Sequence, residues 1–289
     1  MKLALGTVQF GLAYGAFNRN GQVTESETAN ILERAKAAGI NLLDTAHAYG
    51  NSESVLGSLD AASRFRVVTK LPALNDDLAN RATELFSESL RRLRVQRVYG
   101  LLLHRAADLL GPNADDIWKK LQDQRERGFV QRIGFSAYGP TEALEVLRRY
   151  PVELIQLPLN VFDTRHIDSG LLEICKSRGI EVHARSIFLQ GFAIGNPAEL
   201  VGHLAKYRDV LERFQARCRD LKLTPMQAAL RFALDLPQVD QVVIGVESCK
   251  QLEEILTATR AEPLPTSAFK DLNSDDLALV DPSLWAAKA

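Results

Sequence analysis

Asp44 and Tyr49 follow the run INLL, Lys70 closes the run RVVTK, and His104 closes the run VYGLLLH. A carboxylate, a phenol, an ammonium and an imidazole at the C-terminal ends of apolar, strand-like runs make a proton-transfer site if those ends meet in space. Tyr49 would be the acid. An unperturbed phenol, with a pKa of about 10, donates poorly near neutrality. An ammonium about 4 Å away would stabilise the phenolate by roughly 4 kcal/mol at an effective dielectric of 20, equivalent to about 3 pK units. Taken singly, each residue has an ordinary reading: Tyr49 as a loop-packing aromatic, Asp44 or Lys70 as a strand-end charge, His104 as a structural histidine. The conjunction of all four carries the chemical reading.

The elements that would position them recur along the chain. Eight short β-branched or Leu-rich runs occupy 3–7, 40–45, 66–70, 98–104, 132–137, 154–159, 181–186 and 241–246. Most have little polar content before their last residue, as expected of parallel strands buried on both faces. Longer stretches of helical period separate them, which is the signature of βα units. In 78–93, Leu78, Ala82, Leu85, Phe86, Leu90 and Leu93 form one stripe, with Arg81, Glu84, Glu88 and Arg92 outside it. Ile31, Ala35 and Ala38 read the same way. Helix starts are signalled by Thr24 with Glu27, by Pro140-Thr141 ahead of 141–149, and by Thr224-Pro225 ahead of 225–234; Gly39 and Gly179 mark helix ends. Residues 187–223 exceed a simple connection, with a helical stretch expected around 197–218, and 274–281 reads as a short terminal helix. The pattern predicts an α/β chain folded as one eight-stranded parallel (β/α)8 TIM barrel over 1–289. Its strand C-termini would share one face, where such barrels place their active sites.

Composition narrows the partners. The 289 residues are 46% hydrophobic and 25% charged, with a net charge of -1. Opposite charges are interspersed, so no extended field favours nucleic acid or an anionic membrane, and a small-molecule substrate is expected. Cys175, Cys218 and Cys249 are far apart and odd in number, without metal-ligand spacing, which argues against a disulfide framework or a metal site and for a reducing cytoplasm. No apolar run approaches membrane-spanning length, and the sequence leaves oligomeric state open.

The segments DTAHAYGNSE, VVTKL and LLLH resemble the aldo-keto reductase family, and the resemblance extends over nearly the whole chain. It implies reduction of an aldehyde or ketone by hydride from a nicotinamide cofactor, with Asp44, Tyr49, Lys70 and His104 as the catalytic four. Tyr49 would protonate the developing alkoxide. Asp44 would hold Lys70, and His104 would bind the carbonyl oxygen. His47, between Asp44 and Tyr49, reads equally as a pocket residue or a loop histidine.

The same resemblance places the nicotinamide carboxamide on Ser136 and Gln156, with Asn160 as a further contact; Ala137 stands where the family usually has Asn. In ARSIFLQG, Ser186, Gln190 and Gly191 match the family's stretch after the seventh strand, and Arg185 replaces the aromatic that commonly stacks on the nicotinamide. VVIGVESCKQLEEIL is similar to the adenosine-phosphate segment, with Gly245, Glu247, Ser248, Gln251 and Glu254 at contact positions. NADP(H) is favoured by family habit and NAD(H) is possible, since only Lys250 among nearby residues could neutralise a 2′-phosphate while Glu247 would repel it. LGTVQFGLAYG and FLQGF resemble a bacterial branch associated with sugar metabolism, which leans the substrate towards sugar-like carbonyls. Two other readings share the fold: a cofactor-binding regulatory or scaffolding subunit, and a lyase or isomerase using Lys70 as a Schiff base.

Overall fold

A computed structural model of the chain describes residues 1–74 and 80–285. Eight parallel strands, β1 (Leu3–Gly6), β2 (Leu42–Asp44), β3 (Arg66–Leu71), β4 (Val98–Leu103), β5 (Val130–Ser136), β6 (Leu154–Pro158), β7 (Glu181–Arg185) and β8 (Gln241–Gly245), pair in sequence order and close where β8 meets β1. Each of the eight runs read from sequence matches one strand, although β3 extends one residue past its run and β5 begins two residues before its run.

The helices around the barrel are α1 (Glu25–Ala37), α2 (Ser52–Ser58), α3 (Ala82–Leu93), α4 (Ala114–Glu126), α5 (Pro140–Arg149), α6 (Leu171–Ser177), α7 (Arg208–Asp220), α8 (Pro225–Leu234) and α9 (Cys249–Ala258). The expected caps are present: Thr24 accepts from the Glu27 N–H, and Thr224 and Gln227 form a reciprocal capping box at α8. Gly39 and Gly179 take the left-handed backbone expected at a helix end. In α3, Ala82, Leu85, Phe86 and Leu93 are buried, Leu90 is half-buried and Arg81 and Glu84 are exposed; Leu78 lies outside the described residues.

The insertion departs from its expected form. Between Pro197 and Tyr207 it runs as 3-10 turns, Pro197–Glu199 and Gly202–Tyr207, and becomes α-helical only at Arg208. Gly202, with φ of +58°, interrupts the helical period there. The terminal segment contributes one helical turn, Leu277–Val280.

Side chains alternate along a strand, so residues two apart share a face. The inner face of the barrel is filled at mid-height by Ala4, Leu42, Val68, Leu102, Leu154 and Val243. Gly134 lets β5 and β6 close up, since a Cβ there would lie 1.7 Å from the Leu154 carbonyl oxygen, and Gly100 leaves room for the Leu154 and Val68 side chains inside the barrel. At the N-terminal end the strands were expected to be apolar, yet a polar network closes the barrel. Tyr99 donates to Glu181, Arg132 pairs with Glu181 at 3.0 Å, His183 Nε2 lies 2.8 Å from Glu181 Oε1, and the Arg66 guanidinium stacks 4.5 Å from the Tyr99 ring centroid. Strand alternation thus carries Arg66, Val68 and Lys70 on one face of β3, and Glu181, His183 and Arg185 on one face of β7, from floor to mouth.

Candidate active site

The strand ends bring the four predicted residues together. Lys70, buried at the end of β3, directs its Nζ at both carboxylate oxygens of buried Asp44 on β2, at 2.8 and 2.7 Å, and donates to the Thr45 carbonyl at 3.0 Å. Its fourth neighbour is the Tyr49 hydroxyl, 3.4 Å away. His104, just past β4, stands edge-to-face with Tyr49 at 5.7 Å between ring centroids. Gln156 on β6 donates to Asp44 Oδ1 at 2.7 Å, which fixes the carboxylate from its other side.

Tyr49 is held from below by backbone. The turn Val8–Gly11 lies against the segment carrying Tyr49, and a Cβ on Gly11 would sit 1.9 Å from the Tyr49 carbonyl oxygen. Gly50, with φ of +56°, reciprocates, because its Cβ would sit 2.2 Å from the Gly11 oxygen. Ser52 donates to the Thr7 carbonyl at 2.8 Å, and buried Glu53 accepts from the Thr69 hydroxyl at 2.6 Å with Arg92 3.6 Å away. The Ser and Glu of the NSE string therefore clamp the Tyr49 loop to β1 and β3.

The electrostatics differ in one respect from expectation. Burial, then the Asp44 charge, push the Tyr49 phenol above its ordinary value, and Arg185 is the group that opposes them. Asp44 neutralises Lys70, while burial lowers the Lys70 ammonium against the pull of Asp44. The ammonium therefore does not make a phenolate here; it leaves Tyr49 protonated, which is the state an acid must start from. Burial, with Lys70 and Arg185 as repelling cations, lowers His104 to about 4, so its imidazole is neutral at pH 7.

A cavity of 620 Å³ opens over this cluster. Asp44, Tyr49, His104, Gln156, Arg185, Ser186, Gln190, Gly191, Gly245, Glu247, Gln251 and Glu254 line it. Ser136, Asn160 and Ser248, also expected as contacts, are not among its lining residues. Asn160 is buried and committed to the Ser186 carbonyl at 3.2 Å and the Phe162 N–H at 2.9 Å, and Ser248 caps α9 by accepting from the Gln251 N–H at 3.2 Å. His47 turns away, its ring nitrogens near Ser89 (3.3 Å) and Glu88 (3.8 Å).

The loop after β7 places Ser186, Leu189 and Gln190 at positive φ, a costly backbone for residues with side chains. It brings the Gln190 side chain across to the first loop, accepting from the Ala16 N–H at 3.1 Å and donating to the Tyr14 hydroxyl at 3.3 Å. Tyr14, Phe17 and Tyr138 line the cavity and were not singled out from sequence; the aromatic content of the FGLAYGAF loop and the Tyr beside Ala137 were the available signals.

The residues fit a nicotinamide dinucleotide. Gln156 Oε1 is a buried acceptor without a partner on the cavity wall, suited to a carboxamide N–H, and Gly245 packs so closely on Gln9 that a Cβ would meet Gln9 Nε2 at 2.5 Å. The backbone N–H groups of Glu247 and Cys249 at the start of α9 donate to Gln251 Oε1 at 2.8 Å and to Glu27 Oε1 at 2.7 Å, so a phosphate oxygen received there takes the place of these side chains.

The C-terminal mouth of the parallel barrel thus gathers a buried Asp–Lys pair behind a phenol, and comparison with known proteins supplies the family. The model of the aldo/keto reductase family matches residues 2–276, and the chain belongs to that family. It is 24% identical to the uncharacterized oxidoreductase YqkF of Bacillus subtilis, over 94% of this chain and 95% of that one. It is also 24% identical to the NADH-specific methylglyoxal reductase of Escherichia coli, over 89% of each chain. Among solved structures it resembles the aldo-keto reductase AKR11C1 from Bacillus halodurans in its holo form, with a TM-score of 0.79 at 21% identity over 94% of this chain and 92% of that one. The chain is thus an oxidoreductase of a family that reduces small carbonyl compounds with a nicotinamide cofactor.

Proposed function

We propose that this chain reduces an aldehyde or ketone, with sugar-like carbonyls included, to the alcohol, with Tyr49 as the general acid. The observation that carries this reading is the 3.4 Å approach of Lys70 Nζ to the Tyr49 hydroxyl, with Lys70 itself fixed by Asp44. The nicotinamide cofactor supplies the hydride when bound. Tyr49 donates its proton to the carbonyl oxygen as charge develops there, and Lys70 stabilises the phenolate left behind. Neutral His104 hydrogen-bonds the same oxygen and sets its approach. Gln156, Ser186, Gln190 and Gly191 would hold the nicotinamide end, with Arg185 beside the ring at its border with the substrate; Gly245, Glu247, Gln251 and Glu254 would line the adenosine end, with Ser136, Asn160 and Ser248 bracing them from behind.

Both NADP(H) and NAD(H) are accommodated in this reading: family habit favours the former, while Glu247 and Glu254 on the wall oppose a 2′-phosphate. The bidentate Asp44–Lys70 pair speaks against a Schiff-base role for Lys70, which needs a free amine. In this reading the barrel is one domain and the enzyme works in the cytoplasm. The test is Tyr49→Phe, for which carbonyl reduction should fall by at least a hundredfold while cofactor binding, read by fluorescence titration, persists. Lys70→Met should behave alike. Aldehyde reduction by the Phe variant at the wild-type rate would remove Tyr49 from the mechanism.

A further inference from the structure

Arg185 is the one strand-end cation of the catalytic cluster whose charge is not matched. Lys70 is matched by Asp44; among the described residues no carboxylate pairs with Arg185, although it lines the cavity beside Tyr49 and His104. Its guanidinium is nonetheless held in place. It stacks on the Tyr138 ring at 4.2 Å, donates through Nη1 to Ser186 Oγ at 3.2 Å and through Nη2 to the Ala137 carbonyl at 3.3 Å. A guanidinium has five N–H donors, and these bonds use two. Of the carboxylates on the cavity wall, Asp44 pairs with Lys70, Glu199 with Arg19, and Glu247 receives Asn20, while none of them, Glu254 included, pairs with Arg185.

We propose that Arg185 is a specificity-determining residue that binds a carboxylate on the substrate, so that this chain prefers carbonyl compounds bearing a carboxylate group. The inference rests on the carbonyl-reduction reading for its substrate class, and adds the anionic group. A planar fork of donors, stacked and pre-oriented, matches a carboxylate in two-pronged geometry and loses little freedom in binding it. An ammonium in its place would keep the charge without the fork. The influence of Arg185 on the Tyr49 phenol and on His104 is consistent with a guanidinium within electrostatic reach of the reacting carbonyl.

The decisive measurement is binding, independent of turnover. 4-(Hydroxymethyl)benzoate and its methyl ester differ in the charge of interest and in one methyl group, and each is titrated calorimetrically into the full chain with and without NADH. The acid should bind wild type roughly ten- to a hundredfold tighter than the ester, the ratio expected of one charge-assisted contact. That ratio should collapse in Arg185→Gln and be partly kept in Arg185→Lys. Equal binding of acid and ester to wild type overturns the proposal, as does an acid preference that survives Arg185→Gln. Turnover of 4-carboxybenzaldehyde against methyl 4-formylbenzoate then separates the two readings. Reduction of neither, with acid binding intact, tells against carbonyl reduction and not against Arg185; faster reduction of the ester by wild type tells against Arg185.

Discussion

At the scale of single residues, a charge at this site has meaning only through its neighbour. Lys70 beside Tyr49 was legible in the sequence from type and order; that Asp44 would quench its field, and that burial would keep the phenol protonated, depended on distances of a few ångströms. His104 follows the same logic. Its folded value of about 4 lies below the ordinary imidazole value near 6.5, so the unfolded chain binds the extra proton between them. Stability from this group is full above pH 6.5 and is lost as pH falls towards 4, at up to about 1.4 kcal/mol per pH unit. Urea melts of wild type and His104→Phe across pH 4 to 7 should show the shallower slope in the variant; parallel slopes would place the proton uptake elsewhere. Cofactor choice is likewise a one-residue matter. Glu247→Arg should improve selectivity for NADPH over NADH by roughly ten- to a hundredfold, the worth of a charge-assisted contact. Dissociation constants at one ionic strength check it, and a wild-type preference for NADPH beyond about a thousandfold, some 4 kcal/mol, would mean that other residues receive the phosphate.

At the scale of elements, the strands and caps were readable because their signals are local: apolar runs, Thr24, Thr224, and glycines at helix ends. What escaped were contacts between loops distant in sequence. Nothing in VQFG announces that Gly11 meets the Tyr49 carbonyl, nor in FLQG that Gln190 bridges to Ala16 and Tyr14. Ser136, Asn160 and Ser248, expected as cofactor contacts, are absent from the cavity lining, because depth behind the wall is not encoded by motif spacing. The Gly11 contact carries a prediction. Gly11→Ala must displace the Tyr49 segment by more than an ångström, so turnover should drop at least tenfold while cofactor affinity changes little. Wild-type kinetics in that variant would show that the loop yields without moving the phenol.

At the scale of the molecule, the barrel is closed at two depths by different means: aliphatic side chains at mid-height and a charged network at the floor. The runs LIQLPL and VYGLLLH disclosed the first, whereas nothing in the sequence signals the second, because Arg66, Arg132, Glu181 and His183 lie on three different strands that meet only when the barrel closes. Burial raises the Glu181 carboxyl, but hydrogen bonds from His183 and Tyr99 and the charge of Arg132 outweigh it, and the net shift is downward. A carboxyl lowered on folding stabilises the native state above its unfolded value near 4.3, and that contribution disappears as pH falls through the folded value. Glu181→Gln should therefore cost roughly 2 kcal/mol at pH 7, with the gap to wild type closing by pH 3; a gap independent of pH in chemical denaturation would mean the ion pair contributes nothing.

The interlock of Gly11 and Gly50 bears on how such an enzyme can diversify. Two backbones in contact leave no side chain to exchange, so inherited change cannot retune the seat of Tyr49 without abolishing it. The aromatic rim of Tyr14, Phe17 and Tyr138 is held by side chains alone, and new substrate ranges are open to selection there while the proton donor stays where it is.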